Sequence, residues 1–389
     1  MSKSWLSPSL LSAGLIAVLV GYTSSAPIVF EAARAAGASP AEVASWLWAL
    51  GLGMGVTCIG LSLATRAPVL TAWSTPGAAL LATSLHGVTM AQAVGAFVFA
   101  GAATTLVGFS GTFERLMRRV PSSLASAMLA GVLLQFGIDL FGLFDGHRAL
   151  VGGMLVAFVL ARRYVPRYAV PLTLVAGIAL SAAAGQLHLG SVALRLALPL
   201  PTWPQWNAGA IVGIGVPLFL VTMASQNMPG LVVLRSNGYR VPASPLIGST
   251  GLAWVLLAPF GGFAYNLAAI TAAICMSPNA HPDAAQRWRA SVWAGVFYLL
   301  TGVFGATMAA LLAAFPAALI GAIAGLALLG TIASSLHGAL AEPAERDAAL
   351  ITFLLTASGL SVLGLGSAFW GLLAGLAVSL LQHKDQPAK

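Results

Sequence analysis

Long apolar runs follow one another along almost the whole chain, and only short polar connections separate them. A membrane-spanning helix needs about 20 apolar residues in succession. Charged residues make up 7% of the 389 residues, too few to cover a soluble protein of this length. The runs are 9–30, 42–64, 67–85, 89–110, 122–142, 149–161, 168–185, 208–233, 243–258, 259–277, 290–314, 316–336, 347–364 and 366–382. They predict an all-α polytopic membrane protein with fourteen transmembrane segments. They exclude a soluble enzyme, a nucleic-acid-binding protein and a disordered chain.

The basic residues predict the orientation of the chain, because cytoplasmic loops of membrane proteins are enriched in Lys and Arg. With the N-terminus in the cytoplasm, fourteen segments return the C-terminus to the same side. Of the 18 Lys and Arg residues, only Arg34, Arg148 and Arg195 then lie outside. The cytoplasmic ones are Lys3, Arg66, Arg115, Arg118, Arg119, Arg162, Arg163, Arg167, Arg235, Arg240, Arg287, Arg289, Arg346, Lys384 and Lys389. The net charge of +8 therefore reflects topology, and we expect a multi-pass protein with both termini cytoplasmic.

The longest polar connection, 186–207, divides the runs into seven plus seven. With an odd number of segments in each half, the second half enters the membrane from the opposite side, so equivalent halves form an inverted repeat, as in many secondary transporters. Two short matches support equivalence. The first run contains Thr23-Ser24-Ser25-Ala26-Pro27 and the eighth contains Ser225-Gln226-Asn227-Met228-Pro229, while the third and tenth runs open on Ala-Pro.

The third run predicts a broken segment. Val69 to Trp73 suits an extended chain, and Ser74-Thr75-Pro76-Gly77 follows. Thr75 is a good N-cap and Pro76 suits the first helical position, so we expect a half-helix to begin at residue 76 near the midplane. The alternative is one continuous helix kinked at Pro76.

The tenth run predicts a second broken segment. Pro259, Gly261 and Gly262 oppose a helix, and Asn266 is a plausible N-cap for a half-helix over 267–277. The alternative is a loop followed by a short span. In an inverted repeat the two half-helix N-termini meet near the midplane, where their free N–H groups favour an anion.

Two helix ends alone would not hold an anion. One end contributes about 0.3–2 kcal/mol, whereas removing water from a carboxylate costs several kcal/mol. Neutral hydrogen-bond donors must help. The candidates are Thr23, Ser24, Ser25, Ser74, Thr75, Ser225, Gln226 and Asn227. A lone Ser or Thr can equally bond its own helix, but adjacent amides at lipid depth need a polar partner. Since Gln226 and Asn227 point about 100° apart, at most one faces a ligand, and we expect the other to fix the half-helices.

Acidic residues are absent from the centres of the runs. This argues against a sodium site of buried carboxylates. Glu31 and Asp139, nearest the membrane, are interpreted as caps or surface pairs of the outer face. The histidines also fall at run ends or in loops, and no metal-ligand spacing occurs. The six are His86, His147, His188, His281, His337 and His383.

No catalytic motif occurs in the sequence, and no cofactor is expected. The stretch Gly51-Leu52-Gly53-Met54-Gly55 lacks the strand and helix context of a dinucleotide loop. We interpret it as small residues at a helix crossing.

Several stretches resemble the benzoate transporter (BenE) family of bacterial inner-membrane proteins. They are GYTSSAPIVFEAARAAGAS (21–39), APVLTAWSTPGAALL (67–81), RLMRRVPSSLASAMLAGVLL (115–134), PLFLVTMASQNMPG (217–230), AAITAAICMSPNAHPDAAQRW (268–288) and ERDAALITFLLTASGL (345–360). The resemblance implies proton-coupled uptake of benzoate or a related small aromatic carboxylate.

The resemblance also implies a fold of the uracil-permease type, with a seven-plus-seven inverted repeat. In that fold 9–110 and 208–314 form a core domain, 122–185 and 316–382 form a gate domain, and 186–207 is the linker. The third and tenth segments each hold a short strand and a half-helix around the substrate, and homodimers form through the gate domain. Relatives of the uracil type carry glutamates in the eighth and tenth segments. This chain has Gln226, Asn227 and no acid there, which suits an anionic substrate.

The expected partners are thus a small aromatic carboxylate, a proton, the lipid bilayer and a second copy of the chain, without nucleic acid. The candidate substrate-binding residues are Thr23, Ser24, Ser25, Ser74, Thr75, Gly77, Ala78, Gln226, Asn227, Tyr265, Asn266 and Ala268. A carrier of a nucleobase or an inorganic anion is the alternative within transport. An intramembrane enzyme would need mid-span carboxylates, His pairs or metal ligands, which the sequence lacks.

Overall fold

The computed structural model of the chain describes residues 7–113, 115, 121–187, 190, 192–278, 280–360, 362 and 367–384. Two short strands, β1 Thr71–Trp73 and β2 Tyr265–Leu267, lie among helices. In chain order the helices are α1 Pro8–Ala35, α2 Pro40–Thr65, α3 Thr75–Ser84, α4 Met90–Phe109, α5 Ser122–Gly142, α6 Phe144–Tyr164, α7 Ala169–Ala183, α8 Ala208–Arg235, α9 Ala243–Leu257, α10 Ile270–Met276, α11 Trp288–Val303, α12 Gly305–Ala313, α13 Ala317–Leu340, α14 Arg346–Ala357 and α15 Ser367–Lys384.

Within the described residues, eight helices are long and apolar enough to cross a membrane. The helical stretch that ends with α11 and the following α12 would together make a ninth crossing, with a bend of 68° between them. α7 and the last helix are shorter apolar helices. The predicted all-α membrane architecture is therefore confirmed. Several helices are longer than their apolar runs, and the difference is largest for α6. It covers Phe144–Tyr164 rather than 149–161, because Asp145 and the Arg162–Arg163 pair form its polar end turns.

Glycines let two pairs of helices cross at backbone contact. A β-carbon on Gly51 of α2 would lie 2.4 Å from the Cα of Gly302 in α11. A β-carbon on Gly108 of α4 would lie 2.3 Å from the backbone nitrogen of Gly248 in α9. Each pair therefore packs so closely that no side chain fits at the crossing. The interpretation of 51–55 as small residues at a helix crossing is confirmed.

The described part of the linker runs extended along four elements. Its backbone N–H groups donate from Ala197 to Val303 O in α11, from Leu200 to Ser45 Oγ in α2, from Thr202 to Pro259 O and from Gln205 to Ala91 O in α4. The connection between the halves is thus tied to helices of both halves.

Some sequence predictions concern residues outside the described part of the chain. These are the orientation residues Lys3, Arg118, Arg119 and Lys389, together with His188.

Candidate functional site

The two broken segments meet in an antiparallel strand pair. Ala72 in β1 lies opposite Asn266 in β2. The ladder extends beyond the strands, because Ser74 N donates to Ala264 O and Ala268 N to Leu70 O, both at 2.9 Å. Since antiparallel strands run in opposite directions, the half-helices α3 and α10 also leave the pair in opposite directions. The extended chain predicted before each half-helix is confirmed.

The first half-helix begins one residue earlier than predicted. α3 covers Thr75–Ser84, and its N-cap is Ser74, whose Oγ accepts a hydrogen bond from Gly77 N at 2.9 Å. The prediction that Thr75 is the N-cap is wrong, because the Ser74 hydroxyl already reaches the third helical amide. With Ala78 N bonded to Ser74 O and no N–H on Pro76, the first turn keeps only the amide of Thr75 for a ligand.

The second half-helix begins three residues later than predicted. α10 covers Ile270–Met276 and has Ala269 as its N-cap residue. The prediction that Asn266 caps a helix over 267–277 is wrong, because Asn266 is the central residue of β2. The strand ladder uses the backbone up to Ala268, so helical bonding starts only beyond it. At 7 residues, α10 is a single short helix of two turns.

The outer edges of the strand pair are bonded by side chains of neighbouring helices. On β1, Thr71 N donates to Cys58 Sγ at 3.1 Å, and Trp73 N donates to Met54 Sδ at 3.2 Å, both on α2. On β2, Leu267 N donates to Asn227 Oδ1 of α8 at 3.0 Å. The strand pair is therefore satisfied on both edges, as a buried backbone requires.

α1 and α8 hold the strands at equivalent positions. Ser25 Oγ accepts a hydrogen bond from Trp73 Nε1 at 2.7 Å, while Asn227 holds Leu267. Ser25 and Asn227 each stand two residues before a proline of their helix. The polar clusters singled out in the sequence thus each anchor one broken segment.

α8 changes its winding where it carries the two amides. Met223–Asn227 forms a π turn, a feature frequent at functional sites. Asn227 is fully buried, whereas Gln226 is partly exposed. Within the described residues no hydrogen bond reaches the Gln226 amide. Of the two neighbours, Asn227 therefore fixes the broken segment and Gln226 is available to a ligand.

The hydroxyls of α1 point back to their own helix. Thr23 Oγ1 donates to Leu19 O at 2.8 Å, and Ser24 Oγ donates to Gly21 O at 3.0 Å. Both residues are partly exposed, as is Thr75 on α3. To donate a hydrogen bond to an anion, the hydroxyls of Thr23 and Ser24 would have to turn away from these carbonyls.

The other predicted site residues lie inside the protein. Tyr265 is completely buried and donates from its hydroxyl to Ala49 O of α2 at 2.6 Å. Asn266 donates from Nδ2 to Ala264 O at 2.7 Å, and its buried Oδ1 has no partner among the described residues. Ser74, Gly77, Ala78 and Ala268 are also buried. These six residues are therefore not exposed at the protein surface.

A cavity of about 1110 Å³ opens beside the C-terminal half of α3. One wall comes from α1, α3, α4 and α8 and the other from α5, α13, α14 and α15; the lining includes Glu31, Leu80, Gln135, Asp139, Ile214 and Ala324. None of the twelve candidate residues lines it. Glu31 pairs with Arg34 at 3.4 Å, and Asp139 accepts from Gln135 Nε2 at 2.6 Å, so both acids form the surface pairs expected of them.

Four residues that hold the strand pair were not predicted from the sequence. They are Met54 and Cys58, which accept from β1, Trp73, which donates to Ser25, and Gly53, which lies against the Tyr265 ring. Met54 and Cys58 are four residues apart and so share one face of α2. This four-residue spacing could have pointed to Met54 and Cys58. Apolar residues at helical spacing are too common, however, for the sequence alone to identify these two.

Broken segments that meet inside a bundle of apolar helices are typical of secondary transporters, where irregular backbone at membrane depth surrounds a substrate site. The fold and site therefore define a membrane transporter. The chain belongs to the BenE family, since residues 4–381 match the family model described as "Benzoate membrane transport protein". The predicted family is confirmed, and the family is one of transporters, not enzymes.

Two curated relatives match over almost the full chain. The chain is 50% identical to the inner membrane protein YdcO of Escherichia coli (strain K12), over 95% of this chain and 94% of the relative. It is 40% identical to the benzoate membrane transport protein of Acinetobacter baylyi, over 99% of this chain and 98% of the relative.

Solved structures share the fold at low sequence identity. The transmembrane domain of a cyanobacterial bicarbonate transporter, BicA, matches with a TM-score of 0.57 at 14% identity, over 96% of both chains. SLC26A9 matches with a TM-score of 0.63 at 14% identity, over 96% of this chain and 65% of that one. The chain thus spans less than two thirds of the length of SLC26A9, and both likenesses concern the fold alone.

Proposed function

We propose that this protein is a secondary active transporter that takes up benzoate, or a related small aromatic carboxylate, together with a proton across the bacterial inner membrane. The observation that carries the proposal is the 40% identity to a benzoate membrane transport protein over 99% of the chain. The site supports it, because polar groups of α1 and α8 hold the paired strands and neither broken segment carries an acidic residue.

Neutral groups would hold the substrate carboxylate. The Gln226 amide has two N–H donors and no described partner, and the Thr75 amide and hydroxyl stand at the N-terminus of α3. The helix end contributes about 0.3–2 kcal/mol to an anion, and hydrogen bonds to a charged group contribute about 1.5–3 kcal/mol each. Together these terms are comparable to the several kcal/mol that carboxylate desolvation costs. Thr23 and Ser24 complete the proposed polar lining, while Ser25, Ser74, Gly77, Ala78, Asn227, Tyr265, Asn266 and Ala268 support it.

We further propose fourteen segments in a seven-plus-seven inverted repeat. A two-fold rotation that exchanges β1 and β2 also exchanges two hydrogen bonds of the ladder, Ser74 N to Ala264 O and Ala268 N to Leu70 O. In such a repeat the α2–α11 crossing would correspond to the α9–α4 crossing, and the Ser25 anchor would correspond to the Asn227 anchor. Three independent features thus support the repeat.

The cavity supports a division into a core and a gate domain. Apart from Asn207 of the linker, its walls come from the ranges 9–110 and 208–314 on one side and 122–185 and 316–382 on the other. Movement of one wall against the other would open and close a route to the strand pair. With both termini cytoplasmic, the cavity faces outward, and a dimer would form through the gate domain.

Alanine in place of Gln226 is expected to weaken benzoate binding by about 1–3 kcal/mol, since a buried charged group would lack a donor. Equilibrium binding of labelled benzoate to purified protein measures this. Gln205→Ala, on the exposed linker, is the matched control and should bind as the native protein does. Unchanged binding by both Gln226→Ala and Asn227→Ala would refute the assigned site.

An inward pH gradient is expected to drive accumulation, while membrane potential has little effect. Benzoate is an anion, and a potential negative inside opposes its entry by about 2.3 kcal/mol per 100 mV. One proton for each benzoate makes transport electroneutral, and the proton would travel on the substrate carboxylate or an adjacent water. Proteoliposome uptake with each gradient imposed separately tests this. Uptake driven by potential at equal pH would contradict the scheme and direct attention to Glu31 and Asp139.

An inorganic anion is the second candidate substrate, because BicA, whose fold this chain shares, is a bicarbonate transporter. Competition separates the candidates. Excess benzoate should abolish uptake of labelled benzoate, whereas bicarbonate, sulfate or uracil should leave it unchanged.

A further inference from the structure

One arginine donates hydrogen bonds to three backbone carbonyl groups around the loop between α10 and α11. Arg287 donates from Nη1 to Met276 O at 2.9 Å, from Nε to His281 O at 2.8 Å and from Nη2 to Pro282 O at 3.3 Å. Met276 is the last residue of α10, and Arg287 directly precedes α11. A partly buried guanidinium therefore joins the end of the half-helix to the start of the next helix.

We propose that Arg287 is the positioning residue of the second broken segment. By holding the C-terminal end of α10, it sets where β2 and the start of α10 stand in the site. The inference rests on the proposed function, because this segment is proposed to support the substrate site.

The geometry explains why one end of α10 decides the position of the other. A helix of 7 residues is only about 10 Å long, so a shift of its last turn is passed directly to its first turn. Its first end is tied through Ala268 N to Leu70 O and through Leu267 N to Asn227 Oδ1. Its last end is tied to α11 by the Arg287 guanidinium.

The two broken segments are therefore held by two helices, α2 and α11, that contact each other. α2 holds β1 through Met54 and Cys58, and α11 holds the end of α10 through Arg287. α2 and α11 cross in backbone contact at Gly51 and Gly302, so they cannot shift independently. Loss of the guanidinium would release the C-terminal end of α10 from this frame.

The loop has bonds of its own that do not involve the guanidinium. Asp283 Oδ1 accepts from Ala285 N at 2.9 Å, and Tyr239 donates from its hydroxyl to Ala284 O at 2.9 Å. Burial raises the pKa of Tyr239, while Arg287 lowers it, so the hydroxyl stays protonated at neutral pH and can donate. A variant at position 287 should therefore keep the loop folded and release the end of α10.

The test uses the full-length protein with Arg287→Gln and Arg287→Lys, and Arg240→Gln, an exposed arginine of the connection after α8, as control. Two quantities are measured: the Kd for labelled benzoate, and hydrogen–deuterium exchange of residues 270–276 without ligand. Arg287→Gln should raise the Kd about tenfold, since three charge-assisted hydrogen bonds are lost. Arg287→Lys should recover part of the affinity, because an ammonium can still bond one or two carbonyls.

Exchange in 270–276 should accelerate in both Arg287 variants, while exchange in α3 and all properties of Arg240→Gln stay unchanged. Native Kd and native exchange in Arg287→Gln would overturn the inference. If Arg287→Gln does not fold, Arg287→Lys decides, and unchanged exchange in 270–276 overturns it. If the native protein binds no benzoate, the proposed substrate fails, but the exchange measurement still decides the role of Arg287.

Discussion

Replacing Gly53 by alanine is expected to abolish most benzoate uptake by displacing the second strand. A β-carbon at this position would lie 2.3 Å from Tyr265 Cζ, far inside van der Waals contact. The Tyr265 ring is completely buried and tied by its hydroxyl to Ala49 O, so it cannot move aside without moving β2. Overpacking of this kind costs about 1–3 kcal/mol, and we expect a lower melting temperature together with the loss of uptake.

A matched control and a double-mutant cycle separate this clash from a general effect of alanine in α2. Gly60 is on the same helix, and apart from the adjacent backbone of α2 no atom lies within 4 Å of the position its β-carbon would take, so Gly60→Ala should behave as the native protein does. In a Tyr265→Ala background, Gly53→Ala should cost well under about 1 kcal/mol, because the clashing ring is gone. Equal destabilisation by Gly53→Ala in both backgrounds would contradict the assigned contact.

Leucine in place of Asn227 is expected to abolish benzoate binding while the protein still inserts in the membrane. The change keeps the side-chain volume similar but removes the acceptor for Leu267 N. A buried N–H without a partner costs about 1–3 kcal/mol, and β2 can relieve that cost only by moving from the site. Binding of labelled benzoate and thermal stability of the purified variant measure the two effects.

Asn237→Leu is the matched control, since Asn237 is exposed and, among the described residues, its Nδ2 bonds Val233 O of the preceding helix, α8. It should bind benzoate as the native protein does. Native benzoate affinity in Asn227→Leu would show that the strand is held without this bond, and the role assigned to Asn227 would be wrong.

The two variants act on the same strand from opposite sides, which makes them informative together. Gly53 leaves room for the side chain of Tyr265, whereas Asn227 bonds the backbone of Leu267. If both positions act by placing β2, any residual uptake by either variant should keep the native pH dependence. Proteoliposome uptake across an imposed pH series measures this.

Where the sequence and the structure differ, long-range pairing explains the difference. Asn266 has the chemistry of an N-cap, and nothing within a few residues of it argues otherwise. Its backbone instead pairs with Ala72, and this pairing delays the start of α10 to Ile270. For α3 the difference is local, because two adjacent residues, Ser74 and Thr75, can both cap the helix. Ser74 is the N-cap, since its Oγ accepts a hydrogen bond from Gly77 N.

The sequence by itself determined the membrane class, the family, the positions of the apolar helices and the two places where a segment breaks. The helix positions and the breaks follow from local causes, namely the length of each apolar run and the unfavourable effect of Pro and Gly inside a helix. Only the tertiary structure decided that Tyr265 turns into α2, that Asn227 rather than Gln226 holds a strand, and that a cavity opens beside α3. Each of these depends on residues distant in the chain, such as Tyr265 and Ala49, 216 positions apart. A single sequence identifies such residues but does not predict their contacts, because these form only when the helices pack.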